Sequence, residues 1–235
     1  MKLVIFDIDG TILDSVSADD ECFIQAFKDL HQIDLTNADW NNFKHVTDAG
    51  LTIEIFERYF QRTPSDLEVN TLKIHFCNLL KQRVDEFTEI KNALAFIRLL
   101  SYESDLEIGF ATGGWRASAE MKCKAIGLDL NEFIVKSSND HFSRTRIIEL
   151  VTTEALDKNR IRQFDSITYF GDGLWDLRAT QELGIEFVGV DFCNSDKLRT
   201  AGVERIIKNY AEPSPIRKWI NEKLTGNTVP PLAGQ

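Results

Sequence analysis

The stretch that decides the fold is Lys2-Leu3-Val4-Ile5-Phe6-Asp7-Ile8-Asp9-Gly10-Thr11-Ile12-Leu13-Asp14-Ser15. Residues 3–6 form an apolar run of the length of a short buried strand, and the run stops at a carboxylate. A second carboxylate follows two residues on, ahead of Gly10 and Thr11. Side chains at i and i+2 of an extended segment point the same way, so Asp7 and Asp9 can face one pocket. Asp and Gly also build plain acidic surface turns. The rest of the chain has to decide between the two.

Working outward, residues 17–31 carry Cys22, Phe23, Ala26, Phe27 and Leu30 on one helical face. A short helix is expected over 37–43, then a polar loop, His45-Val46-Thr47-Asp48-Ala49-Gly50. Residues 51–61 and 65–86 read as further helices, separated by Pro64, with Ser65 as the N-cap of the second. Residues 16–87 therefore form an all-helical block with no clear strand.

From residue 88 strands and helices alternate. A helix at 89–103 precedes the apolar strand 106–111, and a helix at 115–126, closed by Gly127, precedes a strand at 132–135. Helix 144–157, strand 166–170, helix 174–183 closed by Gly184, strand 186–190, a short helix, strand 205–207 and a last helix near 214–224 complete the series. This grammar implies an α/β fold: a Rossmann-like parallel sheet with helices on both faces, carrying an inserted helical domain. The expected division is 1–15 with 88–225 as the core, 16–87 as the insert, and 226–235, with Pro230-Pro231, as a flexible tail.

Composition narrows the partners. The 235 residues are 43% hydrophobic and 27% charged, with no apolar run near the roughly 20 residues of a membrane span. The first strand is too short for a secretory segment, so a cytoplasmic protein is expected. Cys22, Cys77, Cys123 and Cys193 are scattered without metal-site spacing and are expected to be buried free thiols. A net charge of −10 without a basic stripe argues against nucleic acid. An anion site must be built locally, from cations and backbone amides.

Open parallel sheets bind ligands at the carboxyl ends of their strands, and polar clusters fall at those ends here. Strand 106–111 runs into Thr112-Gly113-Gly114, and strand 166–170 into Gly171-Asp172-Gly173-Leu174-Trp175-Asp176. The segment 138–146 adds Asn139, Asp140, Arg144 and Arg146. Asp172 and Asp176 share a face if a helix begins at Gly173. With Asp7 and Asp9 they would bring four carboxylates into one crevice, which needs a cation to be stable. An all-oxygen donor set without histidine favours a hard ion, Mg2+ over Zn2+. Thr112-Gly113-Gly114 ahead of a helix suits a phosphate oxygen, and Arg144 or Arg146 offers fixed positive charge.

These residues resemble the haloacid dehalogenase (HAD) superfamily. Phe6-Asp7-Ile8-Asp9-Gly10-Thr11 is similar to its first motif, Ala111-Thr112-Gly113 to its second, and Gly171-Asp172-Gly173-Leu174-Trp175-Asp176 to its fourth. The third motif usually supplies a lysine; here Arg144 is the best match, with Arg146 and Lys136 as alternatives. The resemblance implies Asp7 as nucleophile, forming an aspartyl-phosphate, and Asp9 as acid and base. It also implies Mg2+ held by Asp7, the Asp9 carbonyl, Asp172 and Asp176, with phosphoryl oxygens held by Thr112, Gly113 and Arg144. The family's dehalogenases and phosphonoacetaldehyde hydrolases lack the acid at the position of Asp9, which favours phosphate-ester chemistry.

The helical block at 16–87 lies where the family inserts a C1 cap, similar to those of phosphoglycolate phosphatases and β-phosphoglucomutases. Its loop residues His45, Thr47, Asp48 and Gly50 are the candidate specificity contacts, and Trp115 and Trp175 candidate cleft linings. The expected activity is Mg2+-dependent hydrolysis of a small phosphorylated metabolite. A phosphomutase and a catalytically idle binding protein are the alternatives. Oligomeric state is left open.

Overall fold

The computed structural model describes residues 1–222; the tail expected at 226–235 lies outside the described residues. Six strands form one parallel sheet: β1 (Lys2–Phe6), β4 (Leu106–Ala111), β5 (Ile134–Lys136), β6 (Ser166–Gly171), β7 (Glu186–Val190) and β8 (Ile206–Ile207). Their order is β5-β4-β1-β6-β7-β8, and every pairing is parallel. Leu3, Val4, Ile5 and Phe6 are all fully buried. A strand covered on both faces needs such an unbroken apolar run instead of alternation.

β1 is also where the strand order reverses. From it, β4 and β5 lie to one side and β6, β7 and β8 to the other. Loops leaving β1 and its two neighbours therefore diverge and open a crevice at their carboxyl ends. Phe6 pairs with Phe110 on β4 and with Phe170 on β6, so the three strands end within one residue of each other.

Helices α4 (Ala93–Ser101), α5 (Arg116–Ala125), α6 (Arg144–Asn159), α7 (Leu174–Leu183), α8 (Lys197–Thr200) and α9 (Pro213–Asn221) accompany this sheet. Between β1 and β4 lie the helices α1 (Val16–His31), α2 (Asp48–Phe60) and α3 (Asp66–Lys81), flanked by the antiparallel ribbon β2 (Leu13–Asp14) with β3 (Thr88–Glu89). The stripe read on α1 is buried at Cys22, Phe23, Ala26 and Phe27, while Leu30 is exposed. Phe23 and Phe76 of α3 meet edge to face at 6.0 Å, and both pack on Trp115. Ser65 caps α3 in a reciprocal box with Glu68, as its position after Pro64 predicts.

Two expectations need correction. The helix expected over 37–43 is a single 3-10 turn, Trp40–Asn42, held by the Asp39 carboxylate accepting from Asn41 N. Residues 48–50 are not loop: α2 begins at Asp48, because the Thr47 hydroxyl accepts from Gly50 N at 3.0 Å.

Candidate active site

Asp7 follows β1, Thr112 follows β4 and Asp172 follows β6, so one crevice receives all three. Its cavity, of about 110 Å3, is lined on the sheet side by Asp7, Asp9, Thr112, Gly113, Arg144 and Asp172. Val16, Asp19, Asp20, Trp40, Thr47 and Asp48 line it from the helical insert.

Oxygens of Asp7, Asp172 and Asp176 lie within 4.8 Å of one another, all buried. The two acids of the fourth motif do not meet through one helical face. Asp172 precedes the Gly173 N-cap, while Asp176 turns back from the first turn of α7 to accept Gly173 N at 3.0 Å. Tyr169 also donates to Asp176 Oδ1, at 3.1 Å. Gly10, at φ +70°, is needed twice: for its backbone conformation, and because a Cβ there would lie 2.6 Å from the Asp172 carboxylate. Burial pushes Asp7 up to about 7 and Asp172 to about 6, although Arg144 and Lys197 pull respectively the other way. Three desolvated carboxylates with oxygen donors only fit a hard divalent cation, whose charge would remove that penalty.

Of the three candidate cations, Arg144 reaches this cluster. It starts α6, is 7% exposed, and puts Nη1 3.0 Å from Asp7 Oδ1 and Nε 3.4 Å from Asp176 Oδ1. Burial opposes its charge, but Asp7 and Asp176 outweigh it and hold the guanidinium protonated. Arg146 pairs with Glu149 and Lys136 with Glu154 instead, both away from the crevice. Thr112 accepts Gly114 N at 3.0 Å, which shapes the loop.

The insert's loop is pinned to these same elements. Thr47 donates to Phe142 O at 2.7 Å, Asp48 N to Gly113 O at 2.8 Å, and Trp115 N to Asp48 Oδ2 at 2.7 Å. Thr47 and Asp48 line the cavity; His45 and Gly50 do not. His45 packs edge to face on Phe142 at 5.0 Å, and Gly50 sits where a Cβ would meet His45 and Phe142 O. Trp175 lines the cavity, whereas Trp115, 1% exposed, is packing beneath it.

Sequence reasoning missed Lys122, Tyr169, Lys197 and the acids Asp19 and Asp20. Lys122, fully buried on α5, lies 2.6 Å from Asp9 Oδ1 and also pairs with Asp19 of α1. Burial alone would discharge it, but Asp19 and Asp9 outweigh that and raise its pKa. A signal was present: Ser118, Ala119, Lys122 and Cys123 share the buried face of α5, and a lysine on an apolar face calls for a partner. Lys197 Nζ stands 3.2 Å from Asp172 Oδ2.

The fold and crevice define an α/β protein with a buried acidic cluster at the switch point of its sheet. The chain belongs to the haloacid dehalogenase-like hydrolases, whose family profile matches residues 4–190. No curated protein matches the chain. Its fold is similar to that of a hydrolase from Pseudomonas syringae, at TM-score 0.73 and 21% identity over 94% of this chain and 100% of the other. CbbY from Rhodobacter sphaeroides, in complex with phosphate, gives TM-score 0.68 at 16% identity, covering 89% and 95%. A predicted phosphoglycolate phosphatase from Haemophilus somnus gives 0.64 at 14%, covering 92% and 98%. Among the described residues no helix is long and apolar enough to cross a membrane.

Proposed function

We propose that this protein is a Mg2+-dependent phosphomonoesterase acting on a small phosphorylated metabolite through an aspartyl-phosphate on Asp7. One observation carries the reading: a buried guanidinium, Arg144, stands between Asp7 and Asp176 at a crevice that also holds Asp172 and Thr112. Asp7, Asp172 and Asp176, with the Asp9 carbonyl, would hold Mg2+; bound there, the ion supplies charge neutralisation for the carboxylates and the phosphoryl group.

The chain's own residues account for the remaining steps. Thr112, the Gly113 amide and Arg144 hold the phosphoryl oxygens. An Asp7 oxygen bonds to phosphorus as the ester P–O bond breaks, and Asp9 gives its proton to the departing oxygen. Water then attacks phosphorus, Asp9 takes the water proton, and the Asp7–phosphorus bond breaks to release inorganic phosphate. Residues 16–87 act as a cap that excludes bulk water from these steps.

The small cavity suits a compact leaving group. Its cap side presents Asp20, while Asp19 there is balanced by Lys122 and Asp48 accepts from Trp115 N; the lining cations Arg144 and Lys197 face Asp7 and Asp172 at the phosphoryl end. This asymmetry favours a neutral or cationic alcohol over phosphoglycolate, whose second anion would meet Asp20. Phosphate release across a panel of phosphorylated metabolites, with Mg2+ and with EDTA, tests the reading. Asp7→Asn should lower turnover by on the order of 10⁴-fold or more, the scale of losing a covalent nucleophile. Near-normal turnover in that variant would sink the mechanism.

A further inference from the structure

Lys122 has no part in the chemistry above, yet it is the most deeply committed cation of the site. Its ammonium is fully buried, 2.6 Å from Asp9 Oδ1, and its other carboxylate partner is Asp19 on α1. The Ser15 hydroxyl donates to the same Asp9 oxygen. Asp9 Oδ1 is thus fixed by two donors, one from α5 and one from the turn that follows β2. Oδ2 faces the other way: a methyl built on Gly114 would lie 3.7 Å from it, so this oxygen looks toward the Thr112–Gly114 loop and the cleft.

A flexible carboxylate offers either oxygen in any rotamer, and a proton donor off its line by an ångström loses most of its value. Two donors on one oxygen remove that freedom. We infer that Lys122 is a positioning residue for Asp9: by clamping Oδ1 it reserves Oδ2 for the leaving oxygen of the ester. Asp19 is the counter-charge that lets a lysine sit at this depth, since a buried ammonium needs partners on more than one side. The inference rests on the phosphomonoesterase reading and adds to it a residue outside the four motifs.

The test separates proton delivery from everything else the site does. Phenyl phosphate and dinitrophenyl phosphate bind through the same phosphoryl contacts, but phenolate needs a proton as it leaves and dinitrophenolate does not. The quantity read is kcat/KM with Mg2+, which reports phosphoryl transfer to Asp7 and excludes the later hydrolysis. Lys122→Met removes the ammonium at similar volume. The double variant Lys122→Met with Asp19→Asn removes it without stranding a carboxylate on α1, and so guards against simple unfolding. In both, kcat/KM for phenyl phosphate should fall by about 10²-fold or more, with dinitrophenyl phosphate changing by less than about tenfold, the range expected for general acid catalysis. An equal fall on both esters, or no fall on either, overturns the role of Lys122. A wild-type protein that hydrolyses neither ester overturns the phosphatase reading itself, and this inference with it.

Discussion

Two adjacent glycines, Gly113 and Gly114, offer a test in which the same methyl group should have different consequences. Neither has a positive φ, so alanine suits both backbones. A Cβ on Gly113 would collide with Arg144 Nη2, lie 3.0 Å from its Cζ and 3.1 Å from Val46 O. Carbon atoms rest at about 3.5–4.0 Å, so the guanidinium must retreat by roughly 0.5–1 Å, because the carbonyl on the other side belongs to backbone. That breaks the 3.0 Å contact of Nη1 with Asp7 Oδ1. Misplacing a phosphoryl-binding group by about 1 Å costs on the order of 10² in rate. A Cβ on Gly114 meets its nearest atom, Thr112 Oγ1, at 3.4 Å, an ordinary contact. Gly113→Ala should therefore lower kcat for p-nitrophenyl phosphate by about 10²-fold, and Gly114→Ala, whose methyl comes 3.7 Å from Asp9 Oδ2 but does not touch Arg144, by about tenfold at most. Overpacking of about 1–3 kcal/mol leaves Gly113→Ala folded, with melting lowered by several degrees, which a thermal scan checks. A Gly113→Ala enzyme within about threefold of wild type, or equal losses in both variants, would refute the placement of Arg144 on the phosphoryl group.

Other outcomes follow from charge. Asp7 near 7 and Asp172 near 6 bind protons more tightly folded than unfolded, chiefly through burial, so in EDTA stability should fall as pH rises from about 4 to about 7. Melting at about pH 5 should exceed that at about pH 7.5 by a few degrees, Mg2+ should restore the loss at the higher pH, and Asp172→Asn should shrink both effects. Identical pH slopes in wild type and variant would contradict this. For substrate charge, ethanolamine phosphate and glycerol phosphate should exceed phosphoglycolate in kcat/KM by about tenfold, and Asp20→Asn should narrow the gap. Preference for phosphoglycolate would show that Asp20 does not face the leaving group.

What the sequence by itself determined is what depends on neighbours along the chain. The apolar run ahead of Asp7, the strand–helix alternation after residue 88 and the polar turns at Thr112 and Asp172 specify a parallel sheet with a crevice at its strand ends. Local periodicity encodes local structure, and sheet topology then delivers the strand ends to one place. The stripe on α1 and the Ser65 cap belong to the same kind of information.

Tertiary structure decided the partners. Arg144 is the best of three candidate cations in sequence, with Arg146 and Lys136 left open, and only the start of α6 puts it beside Asp7, 137 positions away. Thr47 and Asp48 reach the cavity and His45 does not, because Phe142 from a distant segment takes the imidazole. Lys122 is a charge on a buried helical face until folding brings Asp9 and Asp19 around it. Ion pairs and hydrogen bonds act over a few ångströms between segments remote in sequence, so their members carry no periodic signal. Asp7 and Asp9, a carboxylate pair two residues apart, end in different surroundings. Asp7 meets a guanidinium among the acids that fit a metal, and Asp9 meets a buried lysine that holds one of its oxygens.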